Sequence, residues 1–260
     1  MLKLTFLAAV LCPLLSANAA TVLPLAPFTF SNNASYDANF KEPSSNNGVI
    51  RNAAGYLQLQ GTQFGIAIFD TTATGGVAGL GGTSGHDANN DLSNFTISAI
   101  LASSESGGIG GGFLLRLDNG EENGYFASVL TLGTNAVEFD LAAGAGAVSG
   151  PGFNIFSITL PLNNLTIATN TFYPFKVEVN NDTFSFDFGS GAATASFTDP
   201  FPSATVGQVG FVLTTISPTA ATRLDNFTIT PEPNSAAFLC AAAAVVIMIR
   251  PRRSALESFQ

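Results

Sequence analysis

Basic residues, tryptophan, histidine and cysteine are all scarce in this chain of 260 residues, and each shortage argues against a class of protein. Nine basic residues against 18 acidic ones give a net charge of -9, which leaves no cationic surface for a nucleic-acid backbone. One histidine and two cysteines make a zinc ribbon, a thiol redox site or a Ser-His-Asp triad hard to build. The chain is also 46% hydrophobic and only 10% charged, which argues against disorder.

The N-terminal segment has the three parts of a cleavable secretory signal. Lys3 provides the positive charge, residues 4–15 form an apolar run, and small residues at 17–19 provide a cleavage site. A lipoprotein signal ending at Cys12 fits less well, because Leu11 stands where such signals need a small residue. We therefore expect residues 1–20 to be a signal peptide.

A short motif, an apolar run and an arginine cluster follow one another near the C-terminus. They comprise Pro231, Glu232 and Pro233, then residues 235–249, and then Arg250, Arg252 and Arg253. A helix of 15 residues is about 22 Å long, which is shorter than the ~30 Å hydrocarbon core of a bilayer. A single transmembrane helix here would therefore be a transient anchor.

This order of motif, helix and arginine cluster resembles a PEP-CTERM sorting signal, which we place at residues 231–253, followed by a tail at 254–260. The resemblance implies recognition by an exosortase in the inner membrane of a Gram-negative bacterium and cleavage near the motif. It also implies delivery to the cell surface or to an extracellular polysaccharide matrix. Such signals usually end soon after the arginine cluster, whereas this chain continues to Gln260.

The region between these ends, residues 21–230, contains no cysteine and is strongly acidic. It holds five basic and 16 acidic residues, a net charge of -11. A region of roughly 210 residues can bury a sizeable core without disulfides. We therefore expect one domain there.

Alternation of apolar and polar residues with a period of two is the dominant pattern of this region. Residues 94–100 show it, and so do residues 175–179 and 184–188, which the turn cluster at 180–182 joins into a predicted hairpin. Further strands are predicted at residues 56–60, 65–69, 113–117, 125–131, 136–141, 155–160, 208–214 and 224–230. Eleven or twelve short strands predict an all-β sandwich or barrel.

The first and last apolar stretches favour a jelly-roll arrangement. Residues 28–30 are expected to pair with the last strand, at 223–229, and most of the 23 phenylalanines are expected to lie in the core. The closing Asp225-Asn226-Phe227 run and the glycine-rich strand at 111–117 resemble concanavalin A-like and laminin-G-like sandwich domains. That resemblance implies a two-sheet jelly-roll sandwich.

Glu138 and Asp140 place two carboxylates on one face of a predicted strand. This pattern resembles laminarinase-type glycoside hydrolases of the same fold. Those enzymes have a further glutamate two or three residues after the aspartate, whereas Ala142 and Ala143 occupy those positions here. An exposed polar strand face without catalysis is therefore favoured over a hydrolase site.

Oxygen ligands recur at Asp87, Asn89 and Asp91 in a loop that also contains His86. This spacing suits calcium, and laminin-G-like sandwiches often carry one calcium ion in a loop. A solvated turn rich in Asp and Asn explains the same residues equally well.

Together these features predict an exported, exosortase-processed protein of the cell envelope or extracellular matrix. Its sandwich is expected to bind carbohydrate or another matrix component, or to serve a structural role, without catalysis. The alternative is a secreted polysaccharide hydrolase of the same fold.

Overall fold

The computed structural model describes residues 27–42, 48–53, 55–61, 64–69, 92–105, 108–118, 123–145, 152–214 and 221–231. Across these ranges the chain forms fourteen β-strands and one helix of five residues, α1 (Asn33–Asp37). The strand pairings there are all antiparallel and build two seven-stranded sheets. The sheets belong to a compact unit that runs from Ala20 to Pro231.

Sheet 1 is formed by β1 (Phe40–Lys41), β4 (Phe64–Phe69), β6 (Gly110–Leu117), β7 (Tyr125–Leu132), β8 (Ala136–Ala143), β9 (Phe153–Pro161) and β13 (Gln208–Thr214). Its strand order is β1-β4-β13-β6-β7-β8-β9. Sheet 2 is formed by β2 (Gly48–Asn52), β3 (Leu57–Gly61), β5 (Phe95–Ser103), β10 (Tyr173–Asn180), β11 (Thr183–Phe188), β12 (Ala193–Thr198) and β14 (Thr222–Pro231). Its strand order is β12-β11-β10-β5-β14-β3-β2.

The two sheets pack face to face through the apolar side of each alternating strand. Phenylalanine supplies much of this core, as predicted: Phe113 of sheet 1 stacks on Phe175 of sheet 2 with 5.0 Å between ring centroids. Phe139 of β8 likewise stacks on Phe186 of β11. Because successive residues of a strand point to opposite sides of the sheet, each sheet also presents a second, outer face. The predicted all-β, two-sheet sandwich is confirmed.

Two specific pairing predictions are also confirmed. β10 and β11 form the predicted hairpin, and Asn181 in its turn has a φ of 51°, a left-handed conformation that asparagine tolerates. Phe28 pairs with Phe227 of β14 through an isolated bridge, and the amide of Phe28 donates to the carbonyl of Phe227 at 2.7 Å. This bridge brings the first described residues beside the last strand.

The alternation pattern did not predict β1, β2, β12 or α1. β1 has only two residues and α1 only a single turn, so neither carries a readable period. β12 has the sequence Ala-Thr-Ala-Ser-Phe-Thr, in which small alanines occupy two of the three apolar positions. The hydrophobic contrast between its two faces is correspondingly weak.

Arg116 is the largest exception to the outward placement of polar residues. β6 has one extra residue opposite Val209 of β13, and Arg116 at this bulge has a φ of 53°. The bulge turns the side chain inward, so that it is only 1% exposed and lies over the ring of Phe184 of sheet 2. Its guanidinium donates to the carbonyls of Ser93, Ala204 and Asn181.

No helix in the described part of the chain is long and apolar enough to cross a membrane. The predicted signal peptide at 1–20 and the predicted sorting helix at 235–249 lie outside the described residues.

Candidate functional site

The outer face of sheet 1 carries Glu138 and Asp140 on β8. Val137, Phe139 and Leu141 alternate with them and are buried in the core, so both carboxylates point away from it. Both are half-buried. The prediction that they share one strand face is therefore confirmed.

The neighbouring strands surround these carboxylates mainly with hydroxyl groups. Asp140 lies opposite Ser128 of β7 on one side and Ser157 of β9 on the other. Glu138 lies between Leu130 and Thr159 in the same way. Adjacent strands are about 4.8 Å apart and residues i and i+2 are about 6.7 Å apart. We call Ser128, Glu138, Asp140, Ser157 and Thr159 the acidic face.

Asp140 is the residue of the acidic face whose hydrogen bonding is incomplete. The hydroxyl of Ser157 donates to Oε1 of Glu138 at 3.3 Å. Oδ1 of Asp140, by contrast, is buried from water and accepts no hydrogen bond from the residues that the structure describes. A buried acceptor without a donor is costly, and such atoms are uncommon in folded proteins. Because the Asp140 side chain as a whole is only half-buried, a small rotation of it would bring this oxygen to the surface, where a hydroxyl group of a ligand would satisfy it.

The other half of the same outer face is apolar and already buried. Ile68 of β4, Leu114 of β6 and Val212 of β13 form its centre, and Phe126 of β7 packs against them. The hydroxyl-bearing side chains around Glu138 and Asp140 therefore lie on the β7, β8 and β9 side of the sheet. The boundary crosses β7 between Phe126 and Ser128.

Positions 142 and 143, one of which holds glutamate in the resembling hydrolases, are buried alanines on β8. Glu178 of β10 and Asp187 of β11 are two further carboxylates on alternating strands. They lie on the outer face of sheet 2, where Asp187 is 3.8 Å from the ammonium of Lys176. Neither belongs to the sheet that carries Glu138.

Two groups of predicted site residues cannot be placed in the sandwich. Asp87, Asn89 and Asp91 lie outside the described residues. So does the sorting signal, apart from Pro231, which is the last residue of β14. Within the described ranges, no three His, Cys, Asp or Glu side chains come close enough together to hold a metal ion.

Sequence reasoning missed Ser128 and Ser157, because their place beside Asp140 depends on strand pairing. It also missed Phe153 and Phe201, which are exposed aromatic residues. The position of Phe201 between two prolines was the available signal, since no strand pattern extends through it.

No family model matches this chain, and no curated protein matches it. Solved structures do resemble it. A legume lectin-like domain from Entamoeba histolytica has a TM-score of 0.52 at 12% identity, covering 82% of this chain and 100% of that one. A β-glucanase from Bacillus licheniformis has a TM-score of 0.49 at 10% identity, covering 81% and 100%. The carbohydrate-binding module CBM66 from Bacillus subtilis has a TM-score of 0.48 at 16% identity, covering 74% and 96%. At such low identities these comparisons show the fold alone. The domain from Entamoeba histolytica, whose TM-score is above 0.5, supports a lectin-like jelly-roll sandwich.

Proposed function

We propose that the sandwich binds a neutral polysaccharide on the acidic face and does not cleave it. The observation that carries this proposal is the buried, unpartnered Oδ1 of Asp140 in a row of hydroxyl-bearing side chains. Carboxylates are strong acceptors for hydroxyl donors, and hydrogen bonds to charged groups are stronger than neutral ones. A sugar hydroxyl is a donor of the required kind.

The dimensions and charge of the acidic face favour a neutral glycan. Its two rows span three strands, or about 10 Å by 7 Å, which suits one or two sugar rings. The chain has a net charge of -9, and two of its carboxylates lie in this site. Uronate or sulfate groups would be repelled, and no basic side chain stands opposite Glu138 or Asp140 on the paired strands.

The fold supports the same proposal at the level of analogy. The structure with the highest likeness given above is named as a legume lectin-like domain. Since one fold hosts many functions, this supports a sugar ligand without identifying it.

Binding without hydrolysis is favoured because the second catalytic carboxylate of the resembling hydrolases is missing from its expected position. A retaining mechanism needs two carboxyl groups ~5–5.5 Å apart, and an inverting one needs ~6.5–9.5 Å with room for water. Glu138 supplies one such group, and in the resembling hydrolases Asp140 would be an auxiliary residue. The position of the second group holds alanine. The alternative is a hydrolase that uses Glu138 and Asp140 themselves.

We also propose that the chain is exported through the signal at 1–20, processed by an exosortase at the signal at 231–253, and delivered to the cell surface or matrix. The order of motif, apolar run and arginine cluster supports this route. The positive charge after the apolar run fits retention on the cytoplasmic side. A matrix location would place the acidic face among polysaccharides.

Retention of the full-length protein by insoluble neutral β-glucan tests the proposed function. Asp140→Asn is expected to weaken binding about tenfold or more, because a hydrogen bond to a charged group contributes about 1.5–3 kcal/mol. Glu178→Gln, a change of the same kind on the outer face of sheet 2, should leave binding within twofold. The proposal fails if no neutral polysaccharide retains the protein or if both variants bind equally. Release of reducing ends that Glu138→Gln abolishes would establish the hydrolase alternative.

A further inference from the structure

Two phenylalanine side chains are strongly exposed to solvent. Phe201 is 86% exposed and Phe153 is 67% exposed. In the described part of the chain, the other large apolar residues that are exposed are Leu132 and Val206. A sandwich that buries most of its phenylalanines between its sheets leaves these two rings outside.

Both rings lie at the same end of the sandwich. Phe153 begins β9 and pairs with Ala143 at the end of β8, which in turn pairs with Tyr125 at the start of β7. The amide of Ser203 donates to the hydroxyl of Tyr125 at 2.9 Å. Ser203 belongs to the loop between β12 and β13 that also carries Phe201, so this loop is tied to the end where β9 begins.

The loop that carries Phe201 is held in place by a buried carboxylate. Asp199 accepts the hydroxyl of Tyr125 at 2.8 Å through one oxygen and the amide of Phe201 at 2.9 Å through the other. Prolines on both sides of Phe201 restrict the backbone further. The ring is thus displayed on an ordered backbone, which reduces the entropy lost when a ligand binds.

The area of the two rings favours a small ligand surface over a protein partner. Two phenylalanine side chains present about 300–400 Å², whereas a stable protein interface takes about 800 Å² from each partner. The apolar C–H faces of one or two pyranose rings match the area of the two phenylalanine side chains better than that of a protein interface. The net charge of -9 again disfavours an anionic glycan.

We propose that Phe201 and Phe153 form an aromatic contact site, separate from the acidic face, that stacks on the C–H faces of a neutral polysaccharide. This inference rests on the proposed function and extends it to a second point of attachment on the same polymer. Two weak sites on one chain strengthen retention, because the second contact forms within an existing complex.

Affinity of the full-length protein for a soluble neutral β-glucan, measured by affinity electrophoresis, tests the aromatic site. Phe201→Ala is expected to weaken binding at least fivefold, and Phe201→Trp should restore it because the flat ring is retained. Phe153→Ala should weaken binding as well. Leu132→Ala, which trims an exposed side chain at the far end of β7, should have no effect. Melting temperatures should stay within about 1 °C, because the exposed rings contribute little to the core.

The outcomes separate this inference from the proposed function. If Phe201→Ala binds like the unaltered protein while Asp140→Asn does not, the aromatic site is wrong and the acidic face stands. If the unaltered protein binds no neutral polysaccharide, both proposals fall. If Phe201→Ala instead abolishes self-association in sedimentation, without changing glycan affinity, the rings form a protein contact and the inference is overturned.

Discussion

Replacing Arg116 with methionine should destabilise the sandwich strongly. Nε and Nη2 donate to the carbonyl of Ser93 at 3.1 and 2.6 Å, and Nη1 donates to that of Ala204 at 3.2 Å. A further bond goes to the carbonyl of Asn181, and the carboxylate of Asp182 is 3.8 Å away. One guanidinium thereby joins three loops at this end of the fold. Burial lowers the pKa of Arg116, and the charge of Asp182 opposes that shift.

Methionine preserves most of the side-chain volume but donates no hydrogen bond. Three carbonyls would lose their donor, and each acceptor that stays buried without a partner costs about 1–3 kcal/mol. Water reaching the loops would recover part of this, so we expect a loss of about 3–5 kcal/mol. For a domain of this size, that lowers the melting temperature by about 6–20 °C.

Urea unfolding followed by circular dichroism would measure the loss, with Arg223→Met as the matched control. Arg223 also donates to a side chain, Gln58, at 3.1 Å and lies 4.9 Å from the ring of Tyr56, but it is half-exposed on sheet 2. Its replacement should cost about 1 kcal/mol or less. Equal stability of the two variants would refute the role assigned to Arg116.

Three further predictions concern alkaline stability, sorting and calcium. Burial raises the pKa values of Tyr36 and Tyr125 above the usual 10. The unfolded chain therefore releases protons from about pH 10 upward that the folded chain retains, and stability is lost as the pH rises. Unfolding free energies between pH 9 and 11 should fall less steeply when both tyrosines are phenylalanine, and unchanged slopes would contradict this. Glu232→Ala combined with Arg252→Ala should leave a larger, unprocessed species in the inner membrane on immunoblots of fractionated cells, whereas normal size and release would remove the sorting-signal hypothesis. If the 87–91 loop binds calcium, the ion at a hundredfold excess over Kd adds about 2.7 kcal/mol to the free energy of unfolding. The melting temperatures with calcium and with chelator should then differ by several degrees. Identical melting curves would mean that the loop is a plain turn.

The strands that could be predicted from the sequence are those with strong contrast between their two faces. β13 was predicted at its observed bounds, and the β10–β11 hairpin was predicted with its turn. Strands with small inward residues, such as β12, lack that contrast and were missed. Alternation reports which face a residue occupies, but pairing between distant strands depends on the whole sheet.

The candidate site shows the same limit. Glu138 and Asp140 could be assigned to one face because they are two residues apart. Their neighbours Ser128 and Ser157 belong to other strands, so the acidic face can be recognised only when the pairing of β7, β8 and β9 is known. Arg116 gives the opposite case: strict alternation places it on the outer face, and the bulge in β6 turns it inward.

A crystal structure of the full-length protein with a neutral oligosaccharide tests the central claim most directly. The account predicts a sugar hydroxyl within hydrogen-bonding distance of Oδ1 of Asp140, about 2.7 Å away, and an intact glycosidic bond. Sugar bound on the outer face of sheet 2, with Oδ1 of Asp140 still unpartnered, would contradict the assignment of the acidic face.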